Sequence, residues 1–151
     1  MTGKKTPDRN ALMSCSYTIL PQFGLVHIHF AGEVCAADSL EALQRFAEDP
    51  MSSPELNQLL DMRDVTGLKL DVLDMLKVHA RKAEIFTPAE PDRLFVHLAP
   101  TEIALKIAGF TVRSWEHVPG ITHRVVRTEE QALQILGLRE NSIDALVQQQ
   151  V

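Results

Sequence analysis

The fold of this chain is decided by the stretch Leu59-Leu60-Asp61-Met62-Arg63-Asp64-Val65-Thr66-Gly67-Leu68, which runs directly into Leu70-Asp71-Val72-Leu73. An apolar pair is followed by acid, base and acid, then by a glycine, and a helical pattern begins at once. This order is typical of a buried parallel strand that delivers polar side chains to the carboxyl edge of a sheet, where open α/β folds bind ligands. We therefore predict a third strand over residues 57–62, a turn at Gly67, and a long helix that Asp71 caps.

The segment before this stretch predicts a β-hairpin. Residues 16–20 form its first strand, Pro21 to Gly24 form the turn, and residues 25–31 form the second strand, which Gly32 ends. Apolar and histidine side chains alternate along the second strand, in the order Val26, His27, Ile28, His29 and Phe30. Only one face of this strand is therefore expected to be deeply buried.

Strands and helices alternate through the rest of the chain. We predict helices over residues 36–47, 71–86 and 102–115, strands over residues 93–98 and 122–127, and a last helix through Leu136. Thr128 and Gln131 form a capping box for that last helix, and Gly137 stops it. The buried stripe of the 71–86 helix is expected to consist of Leu73, Leu76, Ala80 and Ala83.

The order of these elements predicts an α/β domain with a mixed five-stranded sheet. A β-hairpin is followed by a parallel βαβαβαβα succession, because helical crossovers of this length impose parallel pairing. The helices are expected to pack mainly on one face of the sheet. The domain spans residues 15–138, preceded by a flexible tail over residues 1–14 and followed by a polar tail or short helix over residues 139–151.

The composition restricts the function. The chain has 151 residues, enough for one domain with its own core, and a formal net charge of −5 at pH 7. That charge repels nucleic acid and anionic lipid, so we expect no nucleic-acid partner and at most a peripheral membrane contact made by apolar surface. Cys15 and Cys35 are too few for a disulfide framework, and residues 1–10 have no apolar segment behind them, so we expect a cytoplasmic protein.

Three short motifs, in their order along the chain, resemble the SpoIIAA-like family of the STAS-type fold. They are Tyr17-Thr18-Ile19, Asp61-Met62-Arg63, and Val126-Arg127-Thr128-Glu129-Glu130-Gln131-Ala132-Leu133. The resemblance covers roughly residues 15–138. Because such proteins are similar both to anti-sigma-factor antagonists and to CRAL–TRIO lipid carriers, the resemblance implies either protein–protein switching or binding of an apolar small molecule, sometimes at a membrane.

The residue that carries phosphate in antagonist STAS domains is missing from this chain. In those domains an Asp ends the third strand, and an Asp-Ser pair begins the next helix, with the Ser as phosphate acceptor. The resemblance places Asp71 and Val72 at that pair. Valine has no hydroxyl, so a phosphoserine switch is not expected, and Thr66 nearby is a weak substitute.

A polar edge-of-sheet site is predicted at Asp61, Arg63 and Asp64. The functional interpretation is a cation or phosphate site with Arg63 as an anion clamp, joined by Asp71 and Asp74. The alternative, which we favour, is an ordinary Asp61–Arg63 ion pair beside carboxylates that complement the start of a helix. No glycine-rich phosphate loop supports a nucleotide.

The histidines and cysteines predict neither a metal site nor a catalytic site. His27 and His29 point the same way, and His97 and His123 could share their face and bind zinc. An exposed polar face of the sheet is the simpler explanation for these histidines, and we favour it. Cys35 precedes a helix, yet no base is placed beside it. We therefore expect no enzyme, no cofactor and no bound metal.

The helix over Glu102–Trp115 is the best functional lead. Its large apolar side chains wrap around most of the cylinder, so it is either buried on several sides, in contact with a second copy of the chain, or presented to a ligand or membrane. The tentative ligand-binding residues are Ile103, Ile107, Phe110 and Trp115. We expect a non-enzymatic cytosolic binding module that holds an apolar or amphipathic small molecule or lipid beneath this helix. The alternative is a STAS-type regulator that binds a protein partner without the usual phosphoserine.

Overall fold

A mixed sheet of five strands forms the centre of the computed structural model, which describes residues 13–69, 72–86 and 92–149. The strands are β1 (Cys15–Leu20), β2 (Leu25–Val34), β3 (Asn57–Leu68), β4 (Arg93–Leu98) and β5 (Ile121–Val126). The helices are α1 (Ala36–Glu48), α2 (Val72–Phe86), α3 (Glu102–Trp115), α4 (Glu129–Ile135) and α5 (Ile143–Gln148). A short 3₁₀ turn, Pro21–Phe23, joins β1 to β2.

The strands lie in the order of the sequence, β1-β2-β3-β4-β5. The β1–β2 pair is antiparallel, and the three other pairs are parallel, which confirms the predicted mixed sheet. When successive parallel strands are neighbours, right-handed crossovers place all the connecting helices on one face. Accordingly, Phe46 of α1, Phe86 of α2 and Trp115 of α3 belong to one core cluster.

The two short C-terminal helices cover the opposite face. Leu133 of α4 and Leu146 of α5 pack there against Leu59 and Val96 of the sheet. The short helix expected near the end of the chain is therefore part of the packed unit. None of the helices in the described ranges has the length and apolarity needed to cross a membrane.

Local signals in the sequence correctly predicted where several elements begin and end. The Thr128 side chain accepts a hydrogen bond from the backbone N–H of Gln131, and Gln131 Oε1 accepts one from the backbone N–H of Thr128, which completes the capping box of α4. Thr101 caps α3 in the same way through its hydroxyl. Gly24 closes the hairpin turn with φ +59°, a conformation that glycine adopts without strain.

Two strands are longer than predicted. Gly32 does not end β2, and Gly67 does not form a turn, because β2 continues to Val34 and β3 continues to Leu68. The extensions pair with each other, with register shifts near Ala31 and Gly32, and Gly32 has φ +68° at this irregularity. Parallel pairing satisfies the backbone groups of both extensions, which outweighs the weak strand propensity of the glycines.

The buried face of α2 was also predicted wrongly. Leu73 and Leu76 are 61% and 47% exposed, and Ala80 is exposed as well. The side chains that face the core are Met75, Lys82 and Phe86. The helix is thus rotated about its axis from the predicted orientation, and this orientation gives Lys82 a buried position. The proposed cap, Asp71, lies outside the described residues.

Candidate functional site

An apolar cavity of about 90 Å³ lies between the sheet and helices α1, α2 and α3, and it is partly open to solvent. Residues of the strands line one side of the cavity, and residues of the three helices line the rest. Representative lining residues are Val26, Ile28, Leu60, Ala42, Met75 and Ile107. By comparison, an engineered apolar cavity of about 150 Å³ binds benzene. The cavity therefore accommodates a small apolar group, or one end of a longer chain.

A buried lysine borders this cavity. Lys82 of α2 is 6% exposed, and its Nζ lies 5.3 Å from the ring centre of Phe95 and 5.8 Å from that of Trp115. No carboxylate in the described ranges lies within 4.0 Å of this ammonium. Burial lowers the pKa of Lys82 to about 8, an effect that Cys15 opposes. The Lys82 ammonium thus contacts the faces of two aromatic rings, Phe95 and Trp115, which replace only part of its hydration.

Three histidines surround the same region. His97 Nε2 and His123 Nδ1 are 3.1 Å apart, and Trp115 Nε1 donates to His79 Nδ1 at 3.2 Å. Burial, and next the charge of Lys82, lower the pKa of His79 and of His123 to about 4. The same causes hold the pKa of His97 well below 6.5. At neutral pH all three imidazoles are uncharged, and Lys82 carries the only charge of this group.

The histidine pair leaves two buried nitrogens unused. His97 Nδ1 and His123 Nε2 have no hydrogen-bond partner among the residues that the structure describes. Since neutral imidazole carries one N–H and one lone pair, a bond between the rings leaves one unused donor and one unused acceptor. Both side-chain polar atoms of Gln58, which lies opposite Phe95 in the sheet, are also buried without a partner. Such groups are rare in folded proteins and indicate a missing ligand or water.

The four histidines do not share one face of the sheet, as the zinc site considered above would require. Leu60 lies opposite both Ile28 and His97 in the sheet, so His97 shares the cavity face. His27 and His29 alternate with Ile28 and therefore point to the opposite face. In the described part of the chain, no group of three or more His, Cys, Asp or Glu residues is arranged to hold a metal ion.

Asp61, which is buried, and Arg63, which is partly exposed, form an ion pair on the face that α4 and α5 cover. Asp61 is 0% exposed, and its carboxylate accepts from Arg63 Nε at 2.9 Å and from Arg63 Nη2 at 2.8 Å. His27 Nε2 lies 2.9 Å from the same carboxylate. Burial alone would raise the pKa of Asp61, but the hydrogen bonds and charges of His27 and Arg63 hold it well below its ordinary value.

This pair also connects the sheet to the C-terminal helices. Arg63 Nη1 lies 3.4 Å from Glu129 Oε1, and the same oxygen accepts from the backbone N–H of Ile143 at 2.6 Å. Arg63 thus lies between two carboxylates, which supports the structural interpretation of the edge. Asp64 is separate from this network, because it is exposed and pairs with His29 at 2.8 Å.

The four tentative ligand-binding residues of α3 occupy different surroundings. Ile107 borders the cavity, and Ile103 packs beside Ala104 in a neighbouring core cluster. Phe110 lies against His79, with ring centres 5.8 Å apart, and Trp115 is 2% exposed in the core. The residues that face inward along α3 are Ala104, Ala108, Thr111 and Trp115.

Sequence reasoning missed the polar cluster beside the cavity. A signal was present in α2, where Met75, His79, Lys82 and Phe86 follow the spacing of one helical face. The predicted stripe considered only the apolar residues of that helix, so it did not identify this face of mixed polarity.

No protein-family model matches the chain, and no curated protein is significantly similar to it in sequence. The functional argument therefore rests on the geometry of the cavity.

Proposed function

We propose that this protein is a non-enzymatic binding module that holds an apolar or amphipathic small molecule in the cavity beneath α1, α2 and α3. The observation that carries the proposal is the cavity itself, whose exposed lining surface is almost wholly apolar and which is partly open to solvent. Binding sites for small molecules combine such walls with a few polar groups that orient the ligand. Lys82, His79 and His97 are polar groups of this kind on the cavity border.

The cavity has an energetic cost that a ligand would remove. Without a ligand, the apolar side chains that line this partly open cavity lack packing partners on one side. A ligand that fills this space restores the lost packing contacts and removes its own apolar surface from water. Both effects favour binding of a molecule whose apolar part matches the cavity.

The reactive groups near the cavity support a role in binding more than in catalysis. Burial raises the pKa of the Cys15 thiol to about 12, which suppresses the thiolate that nucleophilic chemistry needs. Burial and the Asp49 carboxylate raise the pKa of Tyr17 to about 12 as well. Cys15 and Cys35 are both free thiols, in keeping with our further proposal that the protein acts in the cytoplasm.

Native mass spectrometry tests the proposal. The wild-type protein, exposed to 1-octanol, is expected to carry one bound molecule, and denaturing extraction should recover any apolar molecule that co-purifies. Ala42→Leu adds bulk to a cavity-lining residue of α1, whereas Ala80→Leu makes the same change at an exposed position of α2. Binding should be lost in the first variant and kept in the second. Wild-type protein that takes up no apolar molecule would contradict the proposal.

A second candidate function is that of a regulator that binds a protein partner, as the SpoIIAA-like, STAS-type resemblance implies. The observation that favours it is the start of α2, where Val72, Leu73 and Leu76 are 60%, 61% and 47% exposed. These side chains form a neighbouring apolar set at the position where antagonist STAS domains carry phosphoserine. A second copy of the chain, a different protein or the surface of a membrane could cover them. A stoichiometric protein complex that Leu73→Asp disrupts, without any effect on octanol binding, would support this function.

A further inference from the structure

The charge balance around the cavity is incomplete. Lys82 is buried and positively charged below about pH 8, while His79, His97 and His123 are neutral there. No carboxylate in the described part of the chain is within ion-pair distance of Lys82. Buried charges in proteins are normally paired, so a single buried ammonium beside an open cavity indicates an anion supplied from outside the described structure.

One of the two tautomers of the His97–His123 pair provides a hydrogen-bond donor beside the same cavity. His97 borders the cavity, and its Nδ1 is buried without a partner. If His123 Nδ1–H donates to His97 Nε2, the remaining proton of His97 must be on Nδ1, where it is free to be donated. An ammonium and a neutral N–H on one cavity border are a suitable pair of donors for one carboxylate group.

We propose, building on the ligand-binding function above, that the ligand is an amphiphilic monocarboxylate whose carboxylate pairs with Lys82 and accepts a hydrogen bond from His97 while its apolar part fills the cavity. A single ammonium neutralises one negative charge. A phosphate monoester carries about −1.5 to −2 at pH 7 and would leave charge unpaired in an apolar site. A neutral alcohol or hydrocarbon would leave the ammonium itself unpaired. The monocarboxylate is therefore the headgroup that matches the site.

Calorimetric titration with octanoate and with 1-octanol at pH 7 tests this assignment, because the two molecules share a chain and differ in the charge of the headgroup. Wild-type protein should bind octanoate at least about tenfold more tightly than 1-octanol, because only octanoate supplies a charge that pairs with the buried ammonium. Lys82→Met should remove this preference, so that octanoate binds no more tightly than 1-octanol. Lys77→Met is the matched control, because it makes the same change at an exposed position of the same helix, and it should behave as wild type.

The outcomes separate the headgroup assignment from the binding function itself. If wild-type protein binds octanol at least as tightly as octanoate, or if Lys82→Met leaves octanoate affinity unchanged, the monocarboxylate assignment is wrong while the binding function stands. If neither molecule binds wild-type protein, both proposals are contradicted. The comparison of the two ligands on wild-type protein needs no variant, so the test does not depend on how well Lys82→Met folds.

Discussion

The ammonium of Lys82 in helix α2 lies 5.3 Å from the centre of the Phe95 ring in strand β4. This contact supplies about 1 kcal/mol of cation–π stabilisation. The drop in the pKa of Lys82 from 10.5 to about 8 corresponds to a burial cost of about 3 kcal/mol. The cost exceeds the gain, so we expect Lys82 to lower the stability of the fold when nothing pairs with its charge.

Lys82→Met should therefore stabilise the unliganded protein at pH 7 by about 2 kcal/mol in the free energy of unfolding, measured by urea denaturation. Because the pKa of Lys82 is lowered by folding, the unfolded chain holds this proton between about pH 8 and 10.5 while the folded protein releases it. Wild-type stability thus gains from rising pH in this window, and the advantage of the variant should disappear above it. A variant that is less stable than wild type at pH 7 would contradict this account.

The low pKa values of two half-buried histidines predict a loss of stability in mild acid. The pKa values of His79 and His123 are about 4 in the folded protein, against 6.5 when unperturbed, so the unfolded chain binds protons first as the pH falls. Stability that is complete above pH 6.5 should be lost progressively towards pH 4. His123→Phe should show a smaller loss of stability than wild type in urea denaturation across this range. An identical acid response in His123→Phe and wild type would show that this histidine is not buried in its neutral form.

The Asp61 network should prove structural. Asp61→Asn leaves Arg63 and His27 without their buried carboxylate partner, and we expect a loss of about 3 kcal/mol in the free energy of unfolding at pH 7. Asp64→Asn affects an exposed pair and should change stability by less than about 0.5 kcal/mol. Unchanged stability in Asp61→Asn, together with phosphate binding by wild-type protein that Arg63→Gln abolishes, would instead indicate a functional anion site at this edge.

Much of the fold could be predicted because its signals are local. The hairpin turn that ends at Gly24, the cap at Thr128, and the alternation of strands with helices all depend on residues close together in the sequence. The bounds of α3 were predicted correctly for the same reason. The parallel order then followed from the length of the crossovers.

The features that escaped prediction depend on contacts between distant segments. The extension of β3 through Gly67 requires pairing with β2, which no local pattern reveals. The inward position of Lys82 is an exception to the rule that charged residues face solvent. It depends on contacts with Phe95 and Trp115, which lie on other elements of the fold. Likewise, the face that His97 occupies is set by the register between β3 and β4. The candidate site was therefore located only in part, through Ile107 of α3.

The dissociation constant for 1-octanol, measured by calorimetry on wild-type protein, Ala42→Leu and Ala80→Leu, tests the central claim most directly. We predict saturable binding of one molecule by wild type and by Ala80→Leu, and binding weakened about tenfold or more in Ala42→Leu, because the added side chain occupies the cavity. A thermal melt of each variant confirms that it is folded. Equal binding by all three proteins would place the apolar ligand outside the cavity, and no binding by wild type would contradict the proposed function.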